Sequence, residues 1–391
     1  MDAADLDYVL PADAIAQHPV EPRDAARLLV DQGPGCQPDH RTVADLAELL
    51  EPDDVLVVND TEVIPARLHL RKPTGGAVEV LLLERRPEGH WEALVKPSRR
   101  VAPGTVLMPA AGTRSELLGP ARGKPDGQPR SSVGEAPADG LGGVTVEVGE
   151  VLGDDGRRRV TLHGATDSAG GGDLDPRVGL AALGAIGEVA LPPYIHEPLA
   201  DPGRYQTVFA THPGSVAAPT AGLHLTDSLL DRCQARGVTV VRVELAIGLA
   251  TFRPMTVGRV EDHPMHAERY RIPPDTQAVL EGRLRTTSEG GRAVDGGVVA
   301  VGTTTVRALE GWAASGEAEG ATDLFIHGAY PFAVVDRLLT NFHVPRSSLL
   351  ALVEAFIGPR WRELYDTAVA ERYRFLSFGD AMLLSRPRLV R

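Results

Sequence analysis

The spacing of apolar residues along this 391-residue chain changes twice. Residues 1–63 and 176–391 combine short apolar runs with apolar residues at helical spacing, whereas residues 64–175 show short apolar–polar alternation between Gly and Pro turns. Strands that alternate with helices are typical of a largely parallel sheet, and short alternating strands are typical of an antiparallel barrel or sandwich. The pattern therefore predicts a discontinuous α/β domain that carries an inserted antiparallel β domain.

Individual segments fit these two patterns. Apolar, β-branched runs in the α/β part predict the strands ARLLVDQ, DVLVVND, VTVVRVELAIG and GGVVAVG. Apolar residues at helical spacing predict the helices TVADLAELLEPDD (capped by Thr42), LTDSLLDRCQARG, DTQAVLEGRLRTTSEG, SLLALVEAFIG and WRELYDTAVAE. Alternation in the inserted part predicts the strands ARLHLRK, GAVEVLLLER, HWEALVKP, GTVLMP, VTVEVGEV and RRRVTLHG.

Two stretches of the inserted part contain few large apolar residues. Ala110–Gly143 is rich in Gly, Pro, Ser, Ala and Arg, and Ala165–Asp175 contains SAGGGD. Such segments bury too little surface to offset the entropy lost on ordering. We expect both to be mobile excursions that contribute little chemistry.

Composition and charge narrow the class of protein. No apolar run approaches the roughly 20 residues that span a bilayer, and the N-terminus MDAADLDYVL lacks the basic start of a secretory signal. Cys36 and Cys233 provide neither a disulfide framework nor a zinc quartet. The sequence therefore predicts a cytoplasmic protein in a reducing compartment.

The formal net charge of −13 argues against general adhesion to nucleic acid, because phosphate neutralisation dominates non-specific binding. A local basic groove remains compatible with that charge. Its candidates are the basic residues of the inserted domain, although such clusters are more often solvated faces. They are Arg71, Lys72, Lys96, Arg99 and Arg100.

The first candidate for chemistry is the loop GSVAAPTAGLHLT, residues 214–226. Its small residues let backbone amides approach a ligand, and the predicted helix that follows would present its N-terminus to an anion. Ser215, Thr220 and Gly222 are candidate ligand contacts, and His224 could move a proton near neutral pH. A tight loop with a structural histidine is the equally strong alternative.

The segment HPMHAERY places His263, His266 and Glu268 within six residues. If this segment is extended, His266 and Glu268 point to the same side. The spacing matches no familiar zinc pattern, so a histidine oriented by a carboxylate for acid–base work is the better functional interpretation. A surface turn that happens to contain histidines is the alternative.

In VGTTTVRALE, a strand runs through a Gly-Thr turn into a helix. The amides and hydroxyls of Gly302, Thr303 and Thr304 could hold a carboxylate or ribose hydroxyls, and Arg307 could pair with a carboxylate. The turn lacks the lysine of a phosphate-binding P-loop, which makes a nucleoside triphosphate a poor ligand.

Two C-terminal segments add polar groups beside aromatic residues. TDLFIHGAYPFAVVDRLLTNFHVPRSSLL supplies Asp336, Asn341, His343 and Arg346, and YRFLSFGDAMLL supplies Phe378 and Asp380. The aromatic residues could stack on a purine, although core packing is their commoner role. We expect NFHVPRSS, the 214–226 loop, HPMHAERY and the GTTTVR turn to converge on one small-molecule cleft.

Together these segments resemble one family, the S-adenosylmethionine:tRNA ribosyltransferase-isomerases of queuosine modification. The resemblance covers nearly the whole chain and excludes only the two low-complexity stretches. It also rests on five further segments of the chain. These are AQHPVEPRDAARLLV, VVNDTEVIPARL, WEALVKPSRRVAPGT, LPPYI and YQTVFATHP.

The resemblance implies a barrel-like α/β domain (residues 1–63 and 176–391) with an inserted small antiparallel β-barrel domain (residues 64–175). It implies transfer of the ribosyl part of S-adenosylmethionine to the aminomethyl group of a 7-deazaguanine base in a tRNA anticodon. The sugar rearranges to an epoxycyclopentanediol, and adenine and methionine leave. No metal or further cofactor is implied, and we expect a monomer or weak homo-oligomer.

This reaction assigns roles to the candidate residues. The base that removes the proton next to the sulfonium is His224, or His266 oriented by Glu268. Asp336 or Asp380 would assist the departure of adenine, with Phe378 stacking on the base. Arg307, with Thr303 and Thr304, would bind the methionine carboxylate. His343 and Arg346 would contact the tRNA together with the basic cluster.

The chain departs from the family pattern at three positions. Ala246 stands where a histidine is usual, Ala250 where a glycine is usual, and Glu62 where an arginine is usual. These changes leave two alternatives open: transfer of the sugar to a small molecule or free deazapurine, and a non-catalytic RNA-binding protein on the same scaffold. Adenine release with different acceptors discriminates between them.

Overall fold

The computed structural model describes residues 1–86, 88–109, 144–153, 156–164, 180, 183–248, 254–288 and 296–386. The chain forms two compact units, one of residues 1–62 and 191–391 and one of residues 63–190. The predicted excursions Ala110–Gly143 and Ala165–Asp175 lie outside the described residues.

The strands of both units are, in chain order, β1 (Arg27–Val30), β2 (Asp39–Thr42), β3 (Val55–Asn59), β4 (Thr61–Val63), β5 (Arg67–Arg71), β6 (Ala77–Arg85), β7 (Trp91–Lys96), β8 (Thr105–Pro109), β9 (Thr145–Leu152), β10 (Arg157–His163), β11 (Gly187–Glu188), β12 (His212–Ser215), β13 (Thr239–Leu245), β14 (Glu268–Arg271), β15 (Val298–Val301), β16 (Glu319–Thr322), β17 (Arg337–Asn341) and β18 (Ala381–Ser385). The α-helices are α1 (Leu46–Leu49), α2 (Asp227–Ala235), α3 (Pro274–Ser288), α4 (Thr303–Ser315), α5 (Ser348–Ile357) and α6 (Trp361–Ala370).

The larger unit contains a nine-stranded sheet in the order β16-β14-β13-β3-β15-β17-β18-β1-β2. Its central strands β13, β3, β15 and β17 run parallel, as does the pair β18–β1. The other neighbours are antiparallel, so the prediction of a largely parallel sheet holds only at the centre. One reason is the short connection from β1 to β2, which is too short for a crossover between parallel strands.

The central strands are buried on both faces, which explains their continuous apolar runs. In β3, Val55 and Val57 belong to one core, and Leu56 and Val58 belong to the core on the opposite face. The first core is completed by residues of α4, α5 and α6, and the second by residues of α1 and α2. The larger unit is therefore a layered α/β structure whose sheet lies between two helical layers.

The helix predicted for TVADLAELLEPDD is much shorter than its pattern suggests. A 3₁₀ turn at Val43–Asp45 leads into α1, which ends at Leu49. Thr42 is the N-cap residue of this turn, and the Asp45 carboxylate accepts hydrogen bonds from its backbone N–H and hydroxyl at 2.8 and 2.9 Å. Pro52 restricts the residue before it to extended backbone and prevents the helix from continuing.

The four other predicted helices are confirmed as α2, α3, α5 and α6. The N-terminus of α2 is capped by Thr226, whose hydroxyl accepts a hydrogen bond from the backbone N–H of Leu229 at 3.1 Å. Among the described residues, no helix is long and apolar enough to cross a membrane.

The smaller unit is an antiparallel barrel. Its strands follow the order β5-β6-β7-β10-β9-β8, and pairing of β5 with β8 closes the ring. The six strands are those predicted from alternation, with apolar side chains such as Leu68, Val80 and Val160 fully buried. The mixed α/β class with a small antiparallel β-barrel is therefore confirmed.

Candidate functional site

A cleft lies at the carboxyl ends of β15 and β17 in the larger unit. Its empty volume is about 560 Å³, and its walls include residues 218–221, 302–304 and 340–344. Ligands of open α/β sheets bind at this end of the parallel strands. Three of the four segments predicted to converge therefore meet here. The fourth, HPMHAERY, contributes no lining residue within the described part of the chain.

The N-terminus of α4 forms one wall of the cleft. Gly302, with a φ of 90°, makes the turn from β15 into the helix and has no side chain to cap it. The hydroxyl of Thr305 donates back to the carbonyl of Val301 at 2.7 Å. The hydroxyl oxygen of Thr304 is buried and has no hydrogen-bond partner among the described residues. The predicted contacts Gly302, Thr303 and Thr304 all line the cleft.

Asn341 forms a second wall, and its amide orientation is fixed by three partners. Its Oδ1 accepts from the hydroxyl of Thr220 at 2.9 Å, and its Nδ2 lies 3.3 Å from the carbonyl oxygen of Asp380. A carbonyl only accepts, so this side of the amide must be the NH₂ group. The same Nδ2 lies 3.0 Å from Nε2 of His224, which must therefore accept. His224 consequently carries its proton on Nδ1.

His224 is buried behind Asn341 and is not among the residues that line the cleft. Burial, aided by the positive charges of Arg204, Arg374 and Arg23, lowers its pKa to about 4. The imidazole is therefore neutral near pH 7. The structural role that the sequence left open for this histidine fits its surroundings better than direct contact with a ligand.

His343 does line the cleft, although the sequence suggested tRNA contact for it. Its Nε2 lies 2.9 Å from the hydroxyl of Thr340, and burial lowers its pKa to about 3. Its backbone is held by two tyrosines: its N–H donates to Tyr365 at 3.0 Å, and its carbonyl accepts from Tyr8 at 2.5 Å. The structure therefore supplies a neutral, firmly positioned imidazole at the wall of the cleft.

The predicted pairing of His266 with Glu268 is not formed. The Glu268 carboxylate pairs instead with the guanidinium of Arg307, and both side chains are buried. Arg307 also donates to the carbonyls of Leu324 and Thr322 at 3.1 and 3.2 Å. His266 is exposed, and within the described part of the chain no hydrogen bond joins it to Glu268.

This ion pair also corrects the role predicted for Arg307. Its charge is already matched by Glu268, and it does not line the cleft among the described residues. The sequence placed both residues near the chemistry because each is polar and next to a turn. It gave no sign that they would neutralise each other between α4 and β14.

Asp336, predicted to assist adenine, lies at the other end of the sheet. It precedes β17, and its carboxylate accepts a hydrogen bond from the backbone N–H of Val298 at 2.9 Å, at the start of β15. The cleft is at the opposite ends of these strands, about 13 Å away at roughly 3.3 Å per residue. Asp336 therefore cannot contact a ligand in the cleft.

The other adenine candidates, Asp380 and Phe378, are buried and do not line the cleft either. The Asp380 carboxylate accepts from the backbone N–H groups of Arg27 and Arg374 at 2.9 and 2.7 Å. Burial raises its pKa, against the opposing effect of these hydrogen bonds. Phe378 packs edge-on against Tyr205, with ring centroids 6.0 Å apart. Asp380 supports the wall of the cleft through its carbonyl oxygen, which lies 3.3 Å from Nδ2 of Asn341.

Two residues predicted as ligand contacts in the 214–226 loop shape that loop instead. Ser215 donates to the carbonyl of Ala217 at 2.7 Å and accepts from the backbone N–H of Ile247 at 2.9 Å. Gly222 is required for packing, because a Cβ there would lie 2.8 Å from Cζ of Phe209. Neither residue lines the cleft among those described.

Sequence reasoning missed the contribution of Tyr194. This residue lies in LPPYI, lines the cleft and shares a 2.8 Å hydrogen bond with the hydroxyl of Ser377. Burial raises the pKa of Tyr194. A lone tyrosine beside two prolines carries no spacing signal, so only the resemblance of this segment to the family pointed to it.

In the barrel unit, the predicted basic residues lie near one another at the ends of β5 and β7. Lys72 donates to the carbonyl of Arg100, and the 3₁₀ turn Ser98–Arg100 follows directly after Lys96. The buried guanidinium of Arg158 donates to the carbonyls of Ser98 and Val101, which fixes this turn. Exposed members of this basic cluster are Arg71, Lys96, Arg99 and Arg100. Arg346 belongs to the larger unit, where its backbone N–H donates to Leu6 at 2.9 Å.

The three departures from the family pattern have different surroundings. Ala246 is half-buried, with its backbone N–H bonded to the carbonyl of Arg269 at 3.0 Å. Glu62 is half-buried at the end of the first segment of the larger unit, and Ala250 lies outside the described residues.

No group of three or more His, Cys, Asp or Glu side chains in the described ranges is arranged to hold a metal ion.

Comparison with known proteins finds similar proteins that match nearly the whole chain. A family described as "Queuosine biosynthesis protein" matches residues 3–384. Proteins called S-adenosylmethionine:tRNA ribosyltransferase-isomerase from Thermus thermophilus and Rubrobacter xylanophilus are 48% and 44% identical to this chain over 385 residues. These matches cover 97% and 98% of this chain and 98% of each relative. A crystal structure of S-adenosylmethionine tRNA ribosyltransferase from Thermotoga maritima is 33% identical, with coverage of 97% of this chain and 99% of that chain and a TM-score of 0.48.

Proposed function

Because the chain belongs to the queuosine biosynthesis family of S-adenosylmethionine:tRNA ribosyltransferase-isomerases, we propose that it modifies a tRNA anticodon. It transfers the ribosyl part of S-adenosylmethionine to the aminomethyl group of 7-aminomethyl-7-deazaguanine. The sugar rearranges to an epoxycyclopentanediol, giving epoxyqueuosine-tRNA, and adenine and methionine are released. The match over almost the whole length of the chain and of its relatives is the observation that carries this proposal.

The donor site is the cleft at the carboxyl ends of β15 and β17. Its walls combine the aromatic side chain of Tyr194 with the polar groups of Thr304 and Asn341. Aromatic faces suit both a purine and a neighbouring sulfonium cation.

His343 is the general base in this proposal, in place of the sequence-based candidates His224 and His266. His343 lines the cleft and is neutral at physiological pH, because burial lowers its pKa to about 3. The sulfonium acidifies the adjacent carbon, which lowers the basicity that this proton transfer requires. His224 acts as a positioning residue, since its Nε2 accepts a hydrogen bond from Asn341 and it does not itself line the cleft.

The tRNA contacts come from the basic cluster of the barrel unit. Arg99 and Arg100 are exposed on a turn that Arg158 fixes, and Arg71 and Lys96 are exposed nearby. With a formal net charge of −13, the chain must concentrate its phosphate-binding side chains locally. This surface provides such a concentration.

One incubation tests the proposal against both alternatives. The protein is mixed with S-adenosylmethionine labelled in the ribose, and either tRNA that carries 7-aminomethyl-7-deazaguanine or the free base. Adenine release and label in the tRNA nucleoside are measured together. The proposal expects both signals with tRNA. Adenine release with only the free base supports the small-acceptor alternative, and no release with either acceptor supports a non-catalytic binding protein.

A further inference from the structure

The N-terminus of α4 has the features of an anion site that no charged side chain completes. The helix spans 13 residues, begins at Thr303 and has no side-chain cap, because Gly302 precedes it. The first N–H groups of such a helix have no partner within it, and its dipole places partial positive charge at this end. Helix N-termini of this kind bind carboxylates and phosphates.

A second, independent observation points to a ligand at this position. Thr304 is 6% exposed and lines the cleft, yet its hydroxyl oxygen has no hydrogen-bond partner among the described residues. Burying a hydroxyl without a partner is unfavourable. Its neighbour Thr305 has avoided that cost through a bond to the carbonyl of Val301. Thr304 therefore has an unused donor at the wall of the cleft.

The charge around the cleft also favours an anion at α4. None of the residues that line it, within the described ranges, is Asp, Glu, Lys or Arg. Burial keeps the pKa of His343 at about 3, so this imidazole is neutral at pH 7. No carboxylate side chain repels an anion there, and no cationic side chain competes with the helix for it.

We infer that the N-terminus of α4, with the hydroxyl of Thr304, binds the α-carboxylate of the amino-acid part of the donor. This inference rests on the proposed function, because that carboxylate is the only anionic group of S-adenosylmethionine. Backbone N–H groups and the Thr304 hydroxyl donate to its oxygens, and such charge-assisted hydrogen bonds are the stronger kind. The site keeps the carboxylate role that the sequence suggested for Thr304 but omits Arg307, which is paired with Glu268.

Two ligands that differ only in the carboxylate test the inference. Isothermal titration measures the dissociation constants of S-adenosylmethionine and decarboxylated S-adenosylmethionine for the full-length protein. The wild type should prefer the carboxylated ligand at least tenfold. Thr304→Val keeps the shape but removes the hydroxyl, so it should weaken S-adenosylmethionine binding about tenfold and leave the decarboxylated ligand within twofold.

Two further variants separate the effect of the Thr304 hydroxyl from a general loss of folding. Thr304→Ser retains the hydroxyl and should retain the preference, even if Thr304→Val fails to fold. Thr305→Val removes a hydroxyl that bonds to Val301 rather than facing the cleft, and should bind both ligands like the wild type. Equal binding of the two ligands by the wild type overturns the carboxylate site but leaves the donor assignment standing. Binding of neither ligand overturns the proposed function and this inference with it.

Discussion

The side-chain amide of Asn341 donates to Nε2 of His224 across 3.0 Å, and of these two residues only Asn341 lines the cleft. The His224 ring can therefore influence a ligand in the cleft only through the side-chain amide of Asn341. With Thr220 on Oδ1 and the Asp380 carbonyl near Nδ2, it holds the amide in one orientation. A residue in this position affects a reaction by positioning, and that role differs measurably from proton transfer.

Variants of His224 and His343 separate these two roles. His224→Gln can keep an acceptor for Asn341 and should retain turnover within about tenfold of the wild type. His343→Gln removes the proposed base and should lower kcat by about 10²–10⁴, the usual contribution of general acid–base catalysis. Single-turnover adenine release measures both. A loss of more than a hundredfold in His224→Gln, with His343→Gln near normal, would reverse the assignment.

The buried state of His224 also predicts how stability depends on pH. Burial lowers its pKa from about 6.5 in the unfolded chain to about 4 in the fold. The unfolded state therefore binds more protons between these values, and the stabilising contribution, complete above pH 6.5, is lost as the pH falls to 4. The loss should be on the order of 3 kcal/mol, at about 1.4 kcal/mol per pKa unit.

Urea unfolding at pH 7 and at pH 4.5 measures that loss. His224→Gln cannot titrate, so its unfolding free energy should fall by about 2–3 kcal/mol less than that of the wild type over this interval. His343, whose pKa burial lowers to about 3, remains in both proteins and contributes equally to each. An identical pH dependence in the two proteins would mean that His224 is not buried in its neutral form.

The buried pair of Arg307 and Glu268 should contribute to stability rather than to the chemical step. Arg307→Met removes the guanidinium that pairs with the buried Glu268 carboxylate and should lower the unfolding free energy by about 3–5 kcal/mol. The exposed pair Arg271–Glu244, with an N···O distance of 2.6 Å, is the matched control. Arg271→Met should reduce stability by less than about 1 kcal/mol.

Glu268→Gln tests the catalytic role that the sequence suggested for this carboxylate. Because His266 is exposed and not hydrogen-bonded to Glu268 within the described structure, we expect kcat of the folded variant to stay within tenfold of the wild type. Thermal unfolding recorded on the same sample checks that the variant is folded. A hundredfold loss of kcat in a variant that is still folded at the assay temperature would restore Glu268 to the reaction.

Gly222 provides a test of packing in the loop that supports the cleft. A Cβ at this position would lie 2.8 Å from Cζ of Phe209 and 3.0 Å from Cγ2 of Thr207. Gly222→Ala should therefore reduce stability by about 1–3 kcal/mol through overpacking. Gly282, exposed in α3 with no atom within 4 Å of its would-be Cβ, is the control. Gly282→Ala should stabilise by about 0.5–1 kcal/mol, and a similar effect at both sites would contradict the packing argument.

The sequence predicted what depends on local periodicity. The barrel strands and the buried strand β3 follow from alternation and β-branched runs, because side-chain period reports which faces are buried. The sequence also correctly predicts that the 302–304 turn and the NFHV segment line one cleft, because both lie at the carboxyl ends of parallel strands in one sheet.

What the sequence could not give is the partner of each polar side chain. Asp336 and Asn341 both stood out as polar groups near strand ends, but they lie at opposite ends of β17. Glu268 looked like a partner for His266 because they are two residues apart, whereas its actual partner Arg307 is 39 residues away. A buried charge is matched through tertiary packing, and no local pattern encodes which distant residue supplies the opposite charge.

The basic cluster of the barrel unit should carry the salt dependence of tRNA binding. Each phosphate that a cation neutralises releases counterions and adds about one unit to the slope of log affinity against log salt. Arg99 and Arg100 are exposed on a turn held by Arg158, so each can reach a phosphate. Arg99→Gln with Arg100→Gln should therefore weaken binding of the anticodon arm and reduce the slope by about two.

The matched control for this double variant is Arg159→Gln, in the same unit. Arg159 is exposed, but its guanidinium is 2.9 Å from the Glu150 carboxylate, which already balances its charge. We expect this variant to leave the slope unchanged, because it removes no net attraction for phosphate. Filter binding across a salt series gives all three slopes. Equal slopes in the wild type and the Arg99/Arg100 variant would exclude this turn from the tRNA surface. A lower slope in the Arg159 variant alone would move that surface to β10.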